Sequence, residues 1–346
     1  RQRQMCIRDR PNTRFERELR YFLLYRCLPC CSQGYYYVAF DPYCGSHIRR
    51  RAIYHYDFQG CERQIVCGRI QKREDCILGI SPIAMRVFIE LSYNGAPFHG
   101  WQRQPHCLSV QEVLEEKLAL FVGQPLPVMG CGRTDTGVHA SYFVAHADWP
   151  SDSSKANRFK DLNEVAWKLN GMLPASISIH RISRVAPNAH ARFDATERGY
   201  LYRMHTYKDP FLVGRSARVI RQTDFAAMQS ATKYLVRKGD FAAFCKAGSD
   251  NKTTLCDVRF VELRKDGEQY TLEIRADRFL RNMVRAIVGT LLEVGQGRMK
   301  PQDVQAVMAS GDRSAAGASA PGEGLYLNRV VYPEFKPIQT KSFMKP

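Results

Sequence analysis

Regular patterns of hydrophobic and polar residues begin at Met85. Apolar side chains recur at every second position from 87 to 93, which is the period of a β-strand on a well-buried sheet. Ser109 and Glu112 then form a capping box, and apolar residues at helical spacing follow it. We predict, in order, a strand at 87–93, a helix at 110–118, strands at 126–131 and 142–147, a helix at 161–169 and a strand at 177–185. This β-α-β-β-α-β order is the split βαβ pattern of ferredoxin-like domains.

A similar order recurs in the second half of the chain. We predict a strand at 200–207, a helix at 225–236, strands at 254–264 and 270–276, helices at 279–294 and 301–308, and a last strand at 325–332. Gly, Ala and Ser crowd positions 314–324, which we interpret as a mobile loop. The sequence therefore predicts an α+β fold with two ferredoxin-like α/β halves and mainly antiparallel sheets. We place the halves at 85–187 and 188–335, followed by a tail at 336–346.

Residues 1–84 do not share this patterning. They hold eight of the 12 cysteines and show no sustained period of 2 or 3.6. Cys27 and Cys30 have the spacing of a zinc or redox pair, but no matching second pair follows. The run Arg49-Arg-Arg51 is short for a nucleic-acid patch. We therefore predict that this segment is a non-native or disordered leader and that the functional chain starts at Met85.

Composition and charge narrow the class of partner. The 346 residues are 45% hydrophobic and 25% charged, which excludes general disorder. No run approaches the roughly 20 apolar residues of a membrane span, so we expect no membrane partner and a cytoplasmic location. The net charge is +17, of which residues 85–346 keep +10. This excess favours a polyanion such as nucleic acid, although a solvated basic surface is the simpler alternative.

Residues with chemical potential concentrate at positions 130–140, Gly-Cys-Gly-Arg-Thr-Asp-Thr-Gly-Val-His-Ala. Three glycines within eight residues indicate a tight turn, and a carboxylate lies two residues from a guanidinium. A hairpin with a surface salt bridge fits this spacing equally well. No Gly-Lys-Ser/Thr follows, which argues against a P-loop, and the absence of a βαβ crossover argues against a dinucleotide site. His99, His106 and Cys107 lack a fourth zinc ligand, so we predict no metal site.

The segment from Gly132 to His139, Gly-Arg-Thr-Asp-Thr-Gly-Val-His, resembles the signature of the tRNA pseudouridine synthase A (TruA) family. Further segments agree with that family in order and spacing. They are Tyr93-Asn-Gly, Phe98-His-Gly-Trp-Gln-Arg-Gln104, Ser109-Val-Gln111, Ala191-Arg-Phe193, Arg198-Gly-Tyr-Leu-Tyr202, Asn282-Met-Val-Arg285, Ile287-Val-Gly289 and Gly324-Leu-Tyr-Leu327. The resemblance covers about residues 85–333, which is nearly the whole patterned region.

The resemblance implies an enzyme that isomerises uridine to pseudouridine in the anticodon stem-loop of tRNA, at tRNA positions 38–40. It also implies a homodimer that works without cofactor or metal, in which the sheets of two α/β halves meet at a central basic cleft. Two alternatives stay open from the sequence. One is a tRNA-binding or tRNA-folding protein without turnover, and the other is a pseudouridine synthase that acts on a different RNA.

The same resemblance assigns three catalytic residues. Asp135 is the catalytic aspartate, whose ionised carboxylate attacks the uracil ring or the ribose C1′. Arg285 corresponds to the buried arginine that pairs with it, and its helical register with the apolar Val288 and Leu292 favours an inward position. An arginine with only its stem buried is the alternative. Tyr200 corresponds to the tyrosine that stacks on the flipped base and relays a proton at C5, with an ordinary strand tyrosine as the alternative.

Several neighbouring residues concern the substrate. Arg133 is the candidate that flips the target nucleotide or holds its phosphate, with a structural hydrogen bond to the turn as the alternative. We interpret His139 as structural rather than as a general base. Gly199 and Arg281-Asn282 depart from the residues that many family members carry, which leaves the positional specificity open.

Two further features fit a large RNA partner. Phe98, His99 and Trp101, next to Arg103, form either part of an RNA-facing loop or part of the core. Basic residues between 203 and 238 give the second half a basic character. Phosphate contacts of this kind would make binding strongly dependent on salt.

Overall fold

The structure is a computed structural model that describes residues 35–39, 52–56, 85–150, 161–249, 252–333 and 335, the first two ranges by backbone alone. The chain divides into two compact units, Arg1–Leu78 and Gly79–Pro346. No helix in the described ranges is long and apolar enough to cross a membrane.

Within the first unit, strand β1 (Tyr35–Ala39) pairs antiparallel with strand β2 (Ala52–Tyr56). The predicted Cys27/Cys30 pair and the basic run at 49–51 lie outside the described residues, as does the predicted tail from 336 onwards. The prediction of a non-native leader therefore stays a prediction.

The first elements of the second unit follow the order predicted from the hydrophobic pattern. They are β3 (Met85–Tyr93), α1 (Val110–Val122), β4 (Met129–Gly130), β5 (His139–Trp149), α2 (Leu162–Met172) and β6 (Ile177–Arg184). Helix α1 begins where the capping box predicts, because the Ser109 side chain accepts a hydrogen bond of 3.3 Å from the backbone N–H of Glu112. The strand predicted at 126–131 shrinks to two residues, because side chains of α1 bond both backbone groups of Val128.

The predicted elements of the second half again occur in order, but two short strands that the pattern did not predict lie among them, at 217–218 and 237–240. The full set is β7 (Glu197–His205), β8 (Ala217–Arg218), α3 (Phe225–Thr232), β9 (Arg237–Asp240), β10 (Leu255–Asp266), β11 (Gln269–Ala276), α4 (Met283–Gly295), α5 (Asp303–Ser310) and β12 (Leu325–Val331). Short 3₁₀ turns lie at Pro210–Leu212, Ala242–Phe244, Arg313–Ala315 and Gly322–Gly324. Helix α3 is shorter than predicted because the chain turns after Thr232 and enters β9.

Two local predictions in this half are wrong. Helix α4 begins at Met283 rather than at 279, because Asn282 adopts a left-handed φ of +67° that ends any helix before it. The segment 314–324, predicted to be mobile, is hydrogen-bonded to α4. The backbone N–H of Gly317 donates to Thr290 Oγ1 at 2.9 Å, and the N–H of Ala320 bonds to a carbonyl of the same helix at 3.0 Å.

The described strands of the second unit form one ten-stranded sheet with the main order β6-β3-β5-β12-β7-β11-β10-β9. Strand β4 adds to β5, and β8 adds to β7. Each half therefore has the spatial order fourth, first, third, second strand: β6-β3-β5-β4 and β12-β7-β11-β10. The predicted mixed α/β fold with mainly antiparallel strands is confirmed.

The two halves share this sheet instead of forming separate sheets. Strands β5 and β12 join them through a parallel pairing, with Tyr326 opposite His139 and Leu327 opposite Ala140. The sequence could not indicate this contact, because the paired residues are nearly two hundred positions apart.

Hydrophobic side chains of the described residues pack into two clusters, one around each half. Burying a large apolar side chain such as Phe143 stabilises the fold by about 1.5–3 kcal/mol. Phe98 and Trp101 belong to the first cluster, so they are core residues, whereas His99 is exposed. The core thus lies directly beneath the loop that follows β4.

Candidate active site

Asp135 lies on the loop of residues 131–138 that joins β4 to β5. The loop turns back on itself, since Gly137 has a φ of +73°, a conformation in which a residue with a Cβ is strained. The backbone N–H of Gly137 also donates a hydrogen bond of 3.3 Å to the carbonyl of Phe98. The glycines therefore shape a defined turn rather than a flexible linker.

Thr134 anchors the same loop to the core of the first half. Its side chain is buried, and its hydroxyl shares a hydrogen bond of 2.8 Å with the hydroxyl of Tyr93. Its carbonyl accepts a hydrogen bond of 3.2 Å from the backbone N–H of Trp101. These two bonds therefore hold the backbone next to Asp135.

Arg285 reaches Asp135 from the opposite half. It is the third residue of α4, and its Nη1 lies 3.3 Å from Asp135 Oδ2. Its Nε donates a hydrogen bond of 2.7 Å to the carbonyl of Ala320, which fixes the guanidinium plane. The side chain of Arg285 is 23% exposed and that of Asp135 is 37% exposed, so the pair is accessible to a substrate. The structure therefore brings these two predicted residues together across the halves.

Tyr200 lies on β7 and belongs to the same region. It pairs with Leu327 of β12, which in turn pairs with Ala140 of β5, two residues after the Asp135 loop. Its ring meets that of Phe279 edge-on, with 5.1 Å between ring centroids. Burial raises the pKa of Tyr200 well above its usual value, and the charge of Asp135 adds to the rise. The hydroxyl is therefore neutral near neutral pH.

Comparison with known proteins decides the family. Residues 231–333 match the model of a family described as tRNA pseudouridine synthase. The tRNA pseudouridine synthase A of Parabacteroides distasonis is 47% identical over 249 residues, which cover 72% of this chain and 96% of that protein. The protein of the same name from Porphyromonas gingivalis is 47% identical over 72% of this chain and 97% of its own length. The one from Geobacter sulfurreducens is 38% identical over 69% and 96%.

This chain belongs to the tRNA pseudouridine synthase A family. The resemblance predicted from the ordered motifs is thereby confirmed. Asp135, Tyr200 and Arg285, which the family motifs single out, come from three separate elements of the described fold. The geometry assembles them, while their chemical roles stay predictions.

Arg133, the predicted substrate-binding residue of this tRNA pseudouridine synthase A family member, is exposed on the Asp135 loop. None of the hydrogen bonds or ion pairs within the described residues is made by its guanidinium, so the alternative of a structural bond to the turn has no support there. The side chain is therefore free to contact a substrate.

His139 has the structural role that the sequence suggested. Its Nδ1 accepts a hydrogen bond of 3.0 Å from the backbone N–H of Gly95, so Nε2 carries the proton and donates to the carbonyl of Glu323 at 3.1 Å. The ring also stacks on Tyr326 with 4.4 Å between centroids. Burial lowers the pKa of His139, which keeps the imidazole neutral.

Arg198 is the residue that the sequence reasoning missed. It belongs to one of the family motifs, but no role was assigned to it. Its guanidinium donates to the carbonyl of Cys131 from Nε at 3.2 Å and from Nη2 at 3.0 Å, and so holds the start of the Asp135 loop. The signal that could have found it is its position two residues before Tyr200, which puts both side chains on one face of β7.

The described residues contain no group of three or more His, Cys, Asp or Glu side chains arranged to hold a metal ion. Cys107, Cys131 and Cys256 are free thiols in the described chain. Burial raises the pKa of Cys131 to about 11, so its thiol stays protonated despite its place beneath the loop.

Proposed function

We propose that this chain converts uridine to pseudouridine in the anticodon stem-loop of tRNA, at tRNA positions 38–40, with Asp135 as the nucleophile. Membership of the tRNA pseudouridine synthase A family supports the reaction and the substrate. The contact of 3.3 Å between Asp135 and Arg285 is the observation that carries the assignment of the nucleophile. The Asp135 carboxylate lies in the family's signature loop, is partly exposed and is held by the guanidinium of Arg285.

The reaction is an internal exchange of one bond for another. The ionised carboxylate of Asp135 adds to the uracil ring or to the ribose C1′, and the bond between C1′ and N1 breaks. The base then turns, and C5 forms the new bond to C1′. C5 loses its proton, N1 gains one, and the carboxylate is released unchanged. Substrate and product are isomers, so the step requires no oxidant, reductant or group donor.

Arg285 supports this chemistry through charge. A nucleophilic carboxylate must be ionised, and a cleft that excludes water disfavours the charged form. A guanidinium at hydrogen-bond distance offsets that effect. Within the described residues, the contact is to Oδ2 alone, and no hydrogen bond reaches Oδ1 of Asp135. One oxygen is therefore held while the other is available to attack.

Tyr200 is suited to contact the flipped base. Its ring lies against Phe279, and its neutral hydroxyl can relay the C5 proton, giving up its own proton as it takes that one. A Tyr200→Phe variant separates these roles: the ring still stacks, but the hydroxyl is lost. We expect RNA binding to persist while formation or release of the product slows.

The proposal is tested with a tRNA transcript that carries tritium at uridine C5. The full chain and its Asp135→Asn variant are incubated with this RNA, and an Asp266→Asn variant, changed at an exposed hairpin turn, is the matched control. Release of tritium by the wild type and the control, with none by Asp135→Asn, supports the nucleophile. Mapping the pseudouridines then tests positions 38–40.

Two results would reject the proposal. Undiminished release by Asp135→Asn would show that another group attacks. No release by any variant, together with tight and salt-sensitive binding of tRNA, would favour a tRNA-binding or tRNA-folding protein without turnover.

We also propose that the chain acts as a homodimer. Phe211, Val213 and Ile220 are 83%, 76% and 79% exposed on one segment between β7 and α3, and exposed apolar side chains of this kind favour association. Sedimentation at several concentrations tests this, and a mass that stays monomeric at all of them would exclude it. A Phe211→Ser variant should weaken the dimer if this segment forms the interface.

We further propose that residues 1–84 are dispensable and that the enzyme works in the cytoplasm, where tRNA is found. The match to relatives over 96–97% of their length, but only 72% of this chain, supports the first point. A protein of residues 85–346 should release tritium at the rate of the full chain. Loss of activity or of solubility would contradict this prediction.

A further inference from the structure

Three arginines converge beside the Asp135 loop from three different segments, and we call them the arginine triad. They are Arg133 on the loop itself, Arg192 in the turn before β7 and Arg278 between β11 and α4. Arg133 and Arg192 are exposed, and Arg278 is partly exposed. Their guanidinium groups are therefore available to a ligand.

Arg198 links the three segments. Besides holding the carbonyl of Cys131, two residues before Arg133, its Nη2 donates to the carbonyl of Arg192 at 2.5 Å. Its Nη1 donates to the carbonyl of Asp277 at 3.1 Å, next to Arg278. One guanidinium thus fixes the backbone at or beside each member of the arginine triad. The site is held in place before any ligand arrives.

The positive charge of the arginine triad is not balanced by ion pairs within the described part of the chain. The nearby carboxylates are engaged with backbone groups. Asp194 accepts from the N–H of His190 at 2.7 Å, and Asp277 accepts from the N–H of Asp257 at 2.8 Å. Neither carboxylate forms a described ion pair with the triad.

The triad residues also repel one another. Partial burial lowers the pKa of Arg192, and the positive charge of three neighbouring guanidiniums lowers it further. These neighbours are Arg133, Arg198 and Arg278. Placing like charges together has an electrostatic cost that an anion at the centre of the group would relieve.

An exposed aromatic ring adjoins the triad. Phe193 is 74% exposed, lies 4.2 Å from the ring of His190 and has the guanidinium carbon of Arg192 at 5.7 Å from its centroid. The backbone N–H groups of Arg192 and Phe193 both donate to His190 Nδ1, which holds this turn. A phosphate-binding group beside an open ring suits a nucleotide better than a free anion, because bases stack on aromatic faces.

We infer that the arginine triad binds one phosphodiester group of the RNA substrate, adjacent to the nucleotide that Asp135 attacks. This inference rests on the proposed function, because it uses the position of Asp135 to say which phosphate is held. It extends the substrate site from the signature loop to Arg192 and Arg278. The family resemblance assigned no role to either residue. The triad would fix the strand while the uridine leaves the helix.

The test compares RNA binding by the full-length double variant Arg192→Gln/Arg278→Gln with a control of equal charge. The control is Arg264→Gln/Arg298→Gln, which removes two exposed arginines from ion pairs elsewhere on the surface. We expect the triad variant to bind an anticodon stem-loop roughly 10- to 100-fold more weakly. The plot of the logarithm of the association constant against the logarithm of the salt concentration should become less steep by about one. This change corresponds to the loss of one phosphate contact.

A second measurement locates the phosphate. Stem-loops with a single neutral methylphosphonate, moved one linkage at a time, are bound by wild type and by the triad variant. We expect one linkage near the target uridine to weaken binding to the wild type and to have no effect on the variant. Other linkages should affect both proteins equally. Thermal unfolding that matches the wild type confirms that the exposed substitutions leave the fold intact.

Three outcomes would overturn the inference. The first is binding by the triad variant that equals the control in affinity and salt slope. The second is a methylphosphonate profile of the triad variant that is identical to the profile of the wild type. The third is calorimetric binding of inorganic phosphate that the triad variant loses while its RNA affinity stays the same, since the triad would then hold a free anion. Because binding is measured without turnover, an inactive wild type with the expected binding pattern would reject the proposed function alone.

Discussion

The connection between β4 and β5 and the connection between β10 and β11 occupy the same place in two copies of one strand order. The first is the eight-residue loop 131–138, which carries Asp135 and is bonded to the core. The second is a two-residue hairpin turn with exposed charged neighbours. The same topology therefore carries candidate chemistry at one connection and none at the other.

The difference teaches that the sheet supplies position and the connections supply function. A two-residue turn satisfies its own geometry and has no backbone left to pack elsewhere. The longer loop has enough residues to bond to Phe98, to Trp101 and to the Tyr93 hydroxyl, and still to present a carboxylate. The second half contributes through other elements: Arg285 comes from α4 and Tyr200 from β7.

The largest effect on activity should come from a change at Arg285, which contacts Asp135 across the two halves. Arg285→Lys keeps the charge but loses the planar group that bonds Ala320 and Asp135 together. We expect tritium release to fall roughly 100- to 1,000-fold with little change in RNA affinity. Arg275→Lys, in an ion pair on β11, is the matched control and should change activity less than about twofold. Equal activity of the two variants would remove Arg285 from the mechanism.

Equivalent glycine substitutions test the two connections directly. Gly137 and Gly267 have φ values of +73° and +56°, and neither has an atom within 4 Å of an added Cβ. Each alanine substitution should therefore lower the free energy of unfolding by a similar amount, about 1–2 kcal/mol. Gly137→Ala should also displace Asp135 and lower kcat by up to roughly 100-fold, whereas Gly267→Ala should leave kcat unchanged. Equal kcat values would show that the loop tolerates movement.

Acid should lower the free energy of unfolding through His146 on β5. Its Nδ1 accepts a hydrogen bond of 3.1 Å from the backbone N–H of Ala191, and burial, with the charges of His190 and Arg86, lowers its pKa to about 4. The folded state thus binds the proton less well than the unfolded state, so stability is fully present above pH 6.5 and falls as the pH drops towards 4.

Over that range the loss should reach about 3 kcal/mol. Urea unfolding at pH 7 and pH 4.5 measures it. The difference between the two pH values should shrink in His146→Gln and should be retained in His106→Gln, which changes an exposed histidine. The same pH dependence in all three proteins would assign the effect to other groups.

The smallest effect concerns the anchor of the loop. Tyr93→Phe removes the hydroxyl that bonds Thr134, which leaves a buried hydroxyl with one partner fewer. We expect a loss of about 1–2 kcal/mol in the free energy of unfolding. Tyr270→Phe, in the second half, changes a tyrosine that stacks on Phe225, and should have almost no effect. Similar losses in both variants would contradict a special role for the Tyr93 bond.

Much of the fold could be predicted because its signals are local. The two-residue period located β3, and the Ser109 side chain marked the start of α1. The start of α4 was misplaced because the left-handed Asn282 follows from tertiary contacts, such as its side-chain bond of 2.6 Å to Ser319. The joining of β5 to β12 is likewise non-local, so no pattern along the chain indicates it.

The candidate site shows the same division. The glycine-rich spacing and the family motifs pointed to Asp135, Tyr200 and Arg285, and these residues do converge. Arg198 was missed because its partners are backbone carbonyls, which every residue has and no sequence pattern reveals. The anchoring of 314–324 was missed for a related reason, since a run of small residues is equally typical of a mobile loop and of close packing. In the structure, a Cβ on Gly289 would lie 1.7 Å from the carbonyl oxygen of Ala318.

Strand β12 has a consequence for the order in which the protein matures. It is the last described strand of the chain, yet it pairs with both β5 and β7, and Leu327, Val330 and Tyr332 complete the first hydrophobic cluster. A ribosome must therefore release this segment before the two halves can register against each other. Until then no strand pairing holds the carboxylate of Asp135 next to the guanidinium of Arg285. A nascent chain is thus inactive until β12 has been synthesised, and a stop codon before Leu325 would abolish the site along with the strand pairing that creates it.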